Sequence, residues 1–171
     1  HYTFNLRDLS KVFQGMLMMS KQRVVDKGDL SRMWIHECRR QFGDRLINAE
    51  DKQWFDDLLA NELNTQMGIQ WKDVMTFDQL ICGDFMIAGA DNKVYEQIKD
   101  LSQLAPVVEE YLSEYNQDSK QPMHLVMFMD AVQHVSRISR VLRQPTGNAL
   151  LLGVGGSGRQ SLCKLATFMA D

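Results

Sequence analysis

Near its carboxyl end the chain reads Gly153-Val154-Gly155-Gly156-Ser157-Gly158-Arg159-Gln160-Ser161. The apolar run Ala149-Leu150-Leu151-Leu152 precedes it and Leu162-Cys163-Lys164-Leu165-Ala166-Thr167-Phe168-Met169 follows, so the glycines sit where a strand passes into a helix. The Gly153-x4-Gly158 spacing lets backbone N–H groups curl round a phosphate, and the first turn of the helix adds unpaired donors and a positive dipole end. The usual Lys-Ser/Thr pair is here Arg159-Gln160. Arginine keeps the charge as a wide fork, whereas glutamine replaces the hydroxyl that ordinarily ligates Mg²⁺. Phosphate binding survives that exchange more easily than catalysis does. The alternative at this point is a glycine-rich turn that holds no ligand.

The chain ends at Asp171, about ten residues past the loop, and begins at His1, with Phe4 to Leu17 already reading as a helix. One strand and one helix are too little for a parallel nucleotide-binding sheet, so the chain reads as a fragment. The acidic residue that ordinarily follows on a later strand has no room after Ser161, and no catalytic residue is expected in the fragment itself. Composition agrees with a folded domain or one and a half: 171 residues, 44% hydrophobic, 24% charged, three prolines. A net charge of -3 gives no reason to expect nucleic acid or an anionic membrane as a partner. No apolar run approaches the roughly 20 residues that span a bilayer, and no signal peptide is present. Cys38, Cys82 and Cys163 are odd in number and far apart, which reads as reduced thiols of a cytosolic compartment.

Most of the chain carries helical periodicity. Asn5 caps a first helix, ending near Ser20, whose apolar stripe is Leu6, Leu9, Val12, Phe13, Met16 and Leu17, with Asp8 in its first turn. Asp29 caps a second, with Leu30, Met33, Trp34, Cys38, Phe42 and Leu46 facing the core. Asn48 opens a third with Trp54, Phe55, Leu58, Leu59 and Leu63. From Asn64 to Asn92 the glycines at 68, 83 and 89 break the pattern, and loop is expected, extended at Val74 to Phe77. A fourth helix carries Leu101, Leu104, Val108, Tyr111, Leu112 and Tyr115, with Pro106 tolerated near its first turn. After the polar stretch Asn116 to Pro122, a long amphipathic helix bears Leu125, Phe128, Val132, Val135, Ile138 and Leu142 and stops at Pro145 and Gly147. The fold class is therefore mainly α: a helical bundle, then a helix, one strand and the helix of the glycine loop. The bundle from Asn5 to Asn116 should be the stable unit, and the segment after Leu152 should fray for want of neighbouring strands.

Several stretches together resemble a dynein heavy chain: His1-Tyr2-Thr3-Phe4-Asn5-Leu6-Arg7-Asp8, Trp34-Ile35-His36-Glu37, Phe42-Gly43-Asp44-Arg45-Leu46, Tyr111-Leu112-Ser113-Glu114-Tyr115-Asn116, and His134 through Pro145 leading into the loop. The resemblance covers nearly the whole chain, and Arg159-Gln160-Ser161 is similar to the axonemal heavy chains rather than the cytoplasmic one. It implies that residues 1–116 are the helical small, or lid, subdomain of the third AAA+ module. Residues 117–122 would be a linker and 123–171 the opening of the fourth module's large subdomain with its phosphate loop. It further implies ATP or ADP as cofactor, Mg-dependent in a parent that carries a coiled-coil stalk. Implied partners are the neighbouring modules of the same heavy chain, the microtubule, and dynein intermediate and light chains. The implied location is the cytoskeleton of the cytoplasm and the axoneme of cilia or flagella. Gly153, Val154, Gly155, Gly156, Ser157, Gly158, Arg159, Gln160 and Ser161 match the phosphate loop, Leu125 and Val126 the apolar segment near the base of the nucleotide, and Arg7 the sensor-2 position of the preceding module.

Simpler readings stand beside these. Arg7 also fits a solvated first-turn cation pairing with Asp8 or another carboxylate, and Leu125-Val126 an ordinary helix entry. The eleven methionines read as core filling. His36-Glu37 is too short for a metal motif, His124 and His134 lack partners at ligand spacing, and no nucleophilic triad can be assembled. Arg137, Arg140 and Arg143 mark an interdomain or nucleotide-proximal face rather than a nucleic-acid one. The competing function class is a noncatalytic helical interaction module with a vestigial glycine loop.

Overall fold

The computed structural model describes residues 2–76 and 79–171. Seven α-helices carry the architecture: α1 Leu6–Met16, α2 Lys27–Gln41, α3 Ala49–Glu62, α4 Trp71–Val74, α5 Leu104–Asp118, α6 Met129–Arg143 and α7 Arg159–Ala170. Two-residue strands, β1 at Cys82–Gly83 and β2 at Glu96–Gln97, form the one sheet among the described residues. The chain divides into two compact units, one running to Cys82 and taking in Tyr95–Gln97, the other comprising Gly83–Val94 and Ile98–Asp171. Among the described residues no helix is long and apolar enough to cross a membrane.

In the first unit α1 begins as expected. The Asn5 side chain accepts from the amides of Arg7 and Asp8 while Asp8 accepts from the Asn5 amide, a reciprocal cap that satisfies the orphan donors of the first turn. The packing face differs from the expected stripe. Asp8, Val12 and Gly15 are the buried residues, whereas Leu6 and Leu17 are 83% and 84% exposed and Leu9 and Phe13 also face out. The cause is Gly15: a Cβ there would stand 1.7 Å from Glu37 Oε2, so only glycine lets α1 and α2 approach this closely. The helix stops at Met16 rather than near Ser20, and Met19 instead makes a parallel backbone bridge with Tyr95.

Asp26, not Asp29, caps α2. Its carboxylate accepts from the Asp29 amide at 2.8 Å and Asp29 accepts from the Val25 amide at 3.0 Å, placing Gly28 inside the first turn. Met33 and Cys38 are buried as expected, joined by Ile35, His36 and Glu37; Trp34 and Phe42 are half-buried, Leu30 is exposed, and Leu46 is buried from beyond the turn Gly43–Arg45. Burial and the adjacent Glu37 charge push the Cys38 thiol up to about 12, which makes it an inert core group. Glu37 is itself fully enclosed: Oε1 lies 3.0 Å from His36 Nδ1 and accepts from the Tyr95 hydroxyl at 2.8 Å. A buried carboxylate is retained only when its oxygens are partnered, and these partners come from α2 and from the returning segment at Tyr95.

Asn48 caps α3 as expected, and Leu59 and Leu63 face inward, while Trp54 and Leu58 are exposed and Phe55 is half-buried. A wide turn, Leu63–Met67, follows and closes at Gly68 with a left-handed φ of 67°. Val74 belongs to helix α4 rather than to an extended piece; Phe77, like His1, lies outside the described residues. The core joins Val12, Ile35, Cys38, Leu59, Leu63, Val74 and Leu80. Arg39 clamps α2 to α3 by donating from Nε and Nη2 to the two oxygens of Asp56, at 2.9 and 2.7 Å.

The second unit packs α5, α6 and α7 together. Leu104, Val108, Tyr111 and Leu112 of α5, Val132, Val135 and Ile138 of α6, and Leu165, Ala166 and Met169 of α7 are buried. Tyr111 and Tyr115 meet Phe168 edge-on, at centroid distances of 6.4 and 5.7 Å. The apolar face of α5 finds its partners on α6 and α7, so the three helices lie in one compact unit. Asn116 closes the following turn, donating to the Met123 carbonyl and accepting from the Met123 amide at 2.8 and 2.7 Å. The next helix starts only at Met129, so Leu125 and Phe128 precede it in extended chain. It ends at Arg143, and Gly147 turns so close to the Val141 carbonyl that a Cβ would lie 1.8 Å away.

Gly15→Ala is expected to cost the first unit about 2 kcal/mol or more, since its methyl meets a buried carboxylate that has no room to retreat. Chemical denaturation checks this. A hydrogen bond from Arg45, reinforced by the Asn5 amide, holds the Asp8 carboxyl below its ordinary value of 3.8. A depressed carboxyl stabilises above its unfolded value, so this contribution is present at neutral pH and is lost as pH falls below 3.8. Asp8→Asn should flatten the stability profile in that acid range.

Candidate phosphate-binding loop

Ala149 to Leu152 reads as a strand, and in the structure it is unpaired among the described residues, with Leu150 and Leu152 86% and 84% exposed. Among the described residues the only sheet is that of β1 and β2, so no strand lies beside this segment to accept its backbone groups. The loop then turns through Gly156 and Gly158, at φ 79° and 74°. Side chains pay roughly 1–2 kcal/mol in that region, and glycine does not. A Cβ added at Gly155, Gly156 or Gly158 would meet nothing within 4 Å, so the concave side of the turn is open.

Gly158 is the cap of α7 and offers no side chain, and no acidic residue sits in the first turn. The helix ladder begins with the Leu162 amide donating to the Gly158 carbonyl at 2.9 Å, leaving the amides ahead of it for another acceptor. Arg159 folds back over the turn. Its Nη2 donates to the Val154 carbonyl at 3.0 Å, and its Cδ lies within van der Waals reach of a Cβ built at Gly153. Gln160 is exposed and Ser161 half-buried.

Beyond the loop, α7 is packed into its unit. Leu165, Ala166 and Met169 are fully buried, and two cations hold the far end of α7: Lys93 Nζ donates to the Met169 carbonyl and Arg143 Nη1 to the Ala170 carbonyl, each at 3.2 Å. Arg143 is in turn fixed by its Nε, 2.7 Å from Asp84 Oδ2. These anchors lie 76 and 27 residues from the acceptors they serve, and only a cation near a helix end hinted at them in the sequence. The basic stripe is thus partly taken up within this unit. Arg140 is buried and Arg143 is committed to Asp84 and α7, so neither lies on a free face.

Of the other expected site residues, Val126 is 80% exposed and Leu125 half-buried in the extended segment before α6. Arg7 is exposed on the first turn of α1, in the first unit, and Asp8 beside it bonds Gln41 and Arg45. The donors round the loop suit phosphate oxygens. The side chain that ordinarily ligates the accompanying divalent cation is missing, because Gln160 stands where that hydroxyl would be.

Residues 1–74 match the family of the AAA+ lid domain and residues 123–171 that of the P-loop containing dynein motor region D4. Over all 171 residues the chain is 54% identical to dynein axonemal heavy chain 1 of Mus musculus and of Homo sapiens, and it is 46% identical over 173 aligned positions to human dynein axonemal heavy chain 2. In each case the alignment takes in 100% of this chain and 4% of the relative, so the chain spans about 4% of the length of the curated relatives it matches. The chain belongs to the axonemal dynein heavy chains.

In hydrogen exchange on the 171-residue chain, the amides of Leu150 to Leu152 should exchange as in unprotected peptide while those of Leu165, Ala166 and Met169 are protected. Equal protection of Leu150 to Leu152 would mean that the strand has a partner.

Proposed function

We propose that the chain joins the lid of the third AAA+ module to the phosphate loop of the fourth in the motor ring of an axonemal dynein heavy chain, and that this loop holds ADP or ATP as a slowly exchanging regulatory site. The match of residues 123–171 to the D4 region supports the module assignment. The identity to axonemal heavy chains supports a parent that moves along microtubules in cilia or flagella, with neighbouring modules and dynein intermediate and light chains as partners. In this reading Arg7 serves the nucleotide of the preceding module, and Leu125 and Val126 cover the base at this one.

The observation that carries the proposal is the bare first turn of α7 behind two left-handed glycines, with a cation at 159 and no hydroxyl at 160. Backbone amides and Arg159 bind phosphate oxygens in the ground state, so affinity is preserved. Hydrolysis needs charge stabilisation that grows toward the transition state, and the group at 160 that ordinarily takes part is a carboxamide. Turnover therefore falls further than affinity does.

The complete heavy-chain motor, with its other phosphate loops disabled, provides the test. Replacing Arg159→Lys together with Gln160→Thr should leave ADP affinity within about threefold and raise single-turnover hydrolysis on the order of tenfold or more. A parent that hydrolyses as fast as the double variant sinks the regulatory reading. A parent that binds no nucleotide favours a vestigial loop.

A further inference from the structure

We infer that Arg159 is the counter-charge of this loop in place of a divalent cation, so that nucleotide binds here independently of Mg²⁺. The inference rests on the reading of the loop as a nucleotide site. It deepens that reading by assigning the ligand as a metal-free nucleoside diphosphate.

Two features converge on it. The protein's ordinary ligand to magnesium, a short hydroxyl at the second residue of the helix, is missing, while the rest of that ion's shell is ordinarily water and phosphate. Gln160 occupies that position as a longer side chain turned to solvent, and Ser161 sits about 100° further round the helix. At the same time Arg159 is already on the rim of the cup, with Nη2 bonded to the Val154 carbonyl and its stem alongside Gly153.

A guanidinium has five N–H donors, and one suffices for Val154. The remaining donors and the full charge stay available for phosphate oxygens, and the side chain pays little further ordering on binding because it is held beforehand. Lysine has no planar fork with which to do both. The usual lysine carries the same charge beside Mg²⁺, so what sets this loop apart is the fork that serves Val154 and phosphate together, in a cup without the hydroxyl that holds the ion. The bond to Val154 thus makes the residue that departs from the usual motif a preorganised one.

The 171-residue chain is titrated with ADP, and separately with inorganic pyrophosphate, in millimolar Mg²⁺ and in EDTA, reading heat and the amide shifts of Gly155, Gly156 and Gly158. The two dissociation constants for ADP should agree within about twofold. Arg159→Ala should weaken both by about tenfold or more, the effect of losing a charge-assisted fork, with the melting temperature unchanged because the side chain lies on the rim. Gln160→Thr should make binding respond to Mg²⁺. If EDTA weakens the parent tenfold, or Arg159→Ala is neutral while the glycine amides still shift, the counter-charge inference is overturned and the nucleotide site stands. If neither ligand shifts those amides in any condition, both readings fall together.

Discussion

A helix can present a bare first turn to an anion only if something other than its own cap fixes it. In α7 that constraint is met from the opposite end and the buried side. Leu165, Ala166 and Met169 are fully enclosed, and Lys93 and Arg143 neutralise the carbonyls at Met169 and Ala170. The dipole is thereby satisfied where it is negative and left unsatisfied where it is positive, which is the polarity a phosphate requires. Arg143 can serve in this way because Asp84 holds it, so a loop distant in sequence aligns the helix that carries Arg159.

The first unit depends on a close approach of a different kind. Gly15 admits the Glu37 carboxylate against the backbone of α1, and His36 and Tyr95 partner that carboxylate inside the core. Burying it costs several kcal/mol unless its oxygens are bonded, so residues 95–97 belong to this unit as surely as α1 and α2 do. The approach also settles which side of α1 is buried. The stripe with most apolar surface, Leu6, Leu9, Phe13 and Leu17, faces away from α2.

Capping and periodicity made much of this legible beforehand. Asn5 and Asn48 cap where a short side-chain acceptor precedes apolar spacing, the inward residues of α5 are Leu104, Val108, Tyr111 and Leu112 as their spacing required, and the phosphate loop is a contiguous motif. The misreadings have physical causes. Asp29 has the residue type of a cap but stands as the third helical residue, donating its amide to Asp26 and accepting from the Val25 amide. Leu125 and Phe128 have helical spacing with Val132 yet precede the helix. The arginines of α6 looked like a surface because their acceptors, such as Asp84, lie far away in the chain.

What the sequence determined by itself is therefore local: the caps, the glycines that can stand at positive φ, the exchange of lysine and hydroxyl for Arg159 and Gln160, and with them the family. Each depends on atoms within one or two helical turns. Which face of α1 is covered, the packing of α5 with α6 and α7, and the ending of Arg143 and Lys93 on α7 come from long-range packing. The anchoring of α7 depends on groups brought together from 27 to 76 residues apart, and burial selects among faces whose periodicity is equally good.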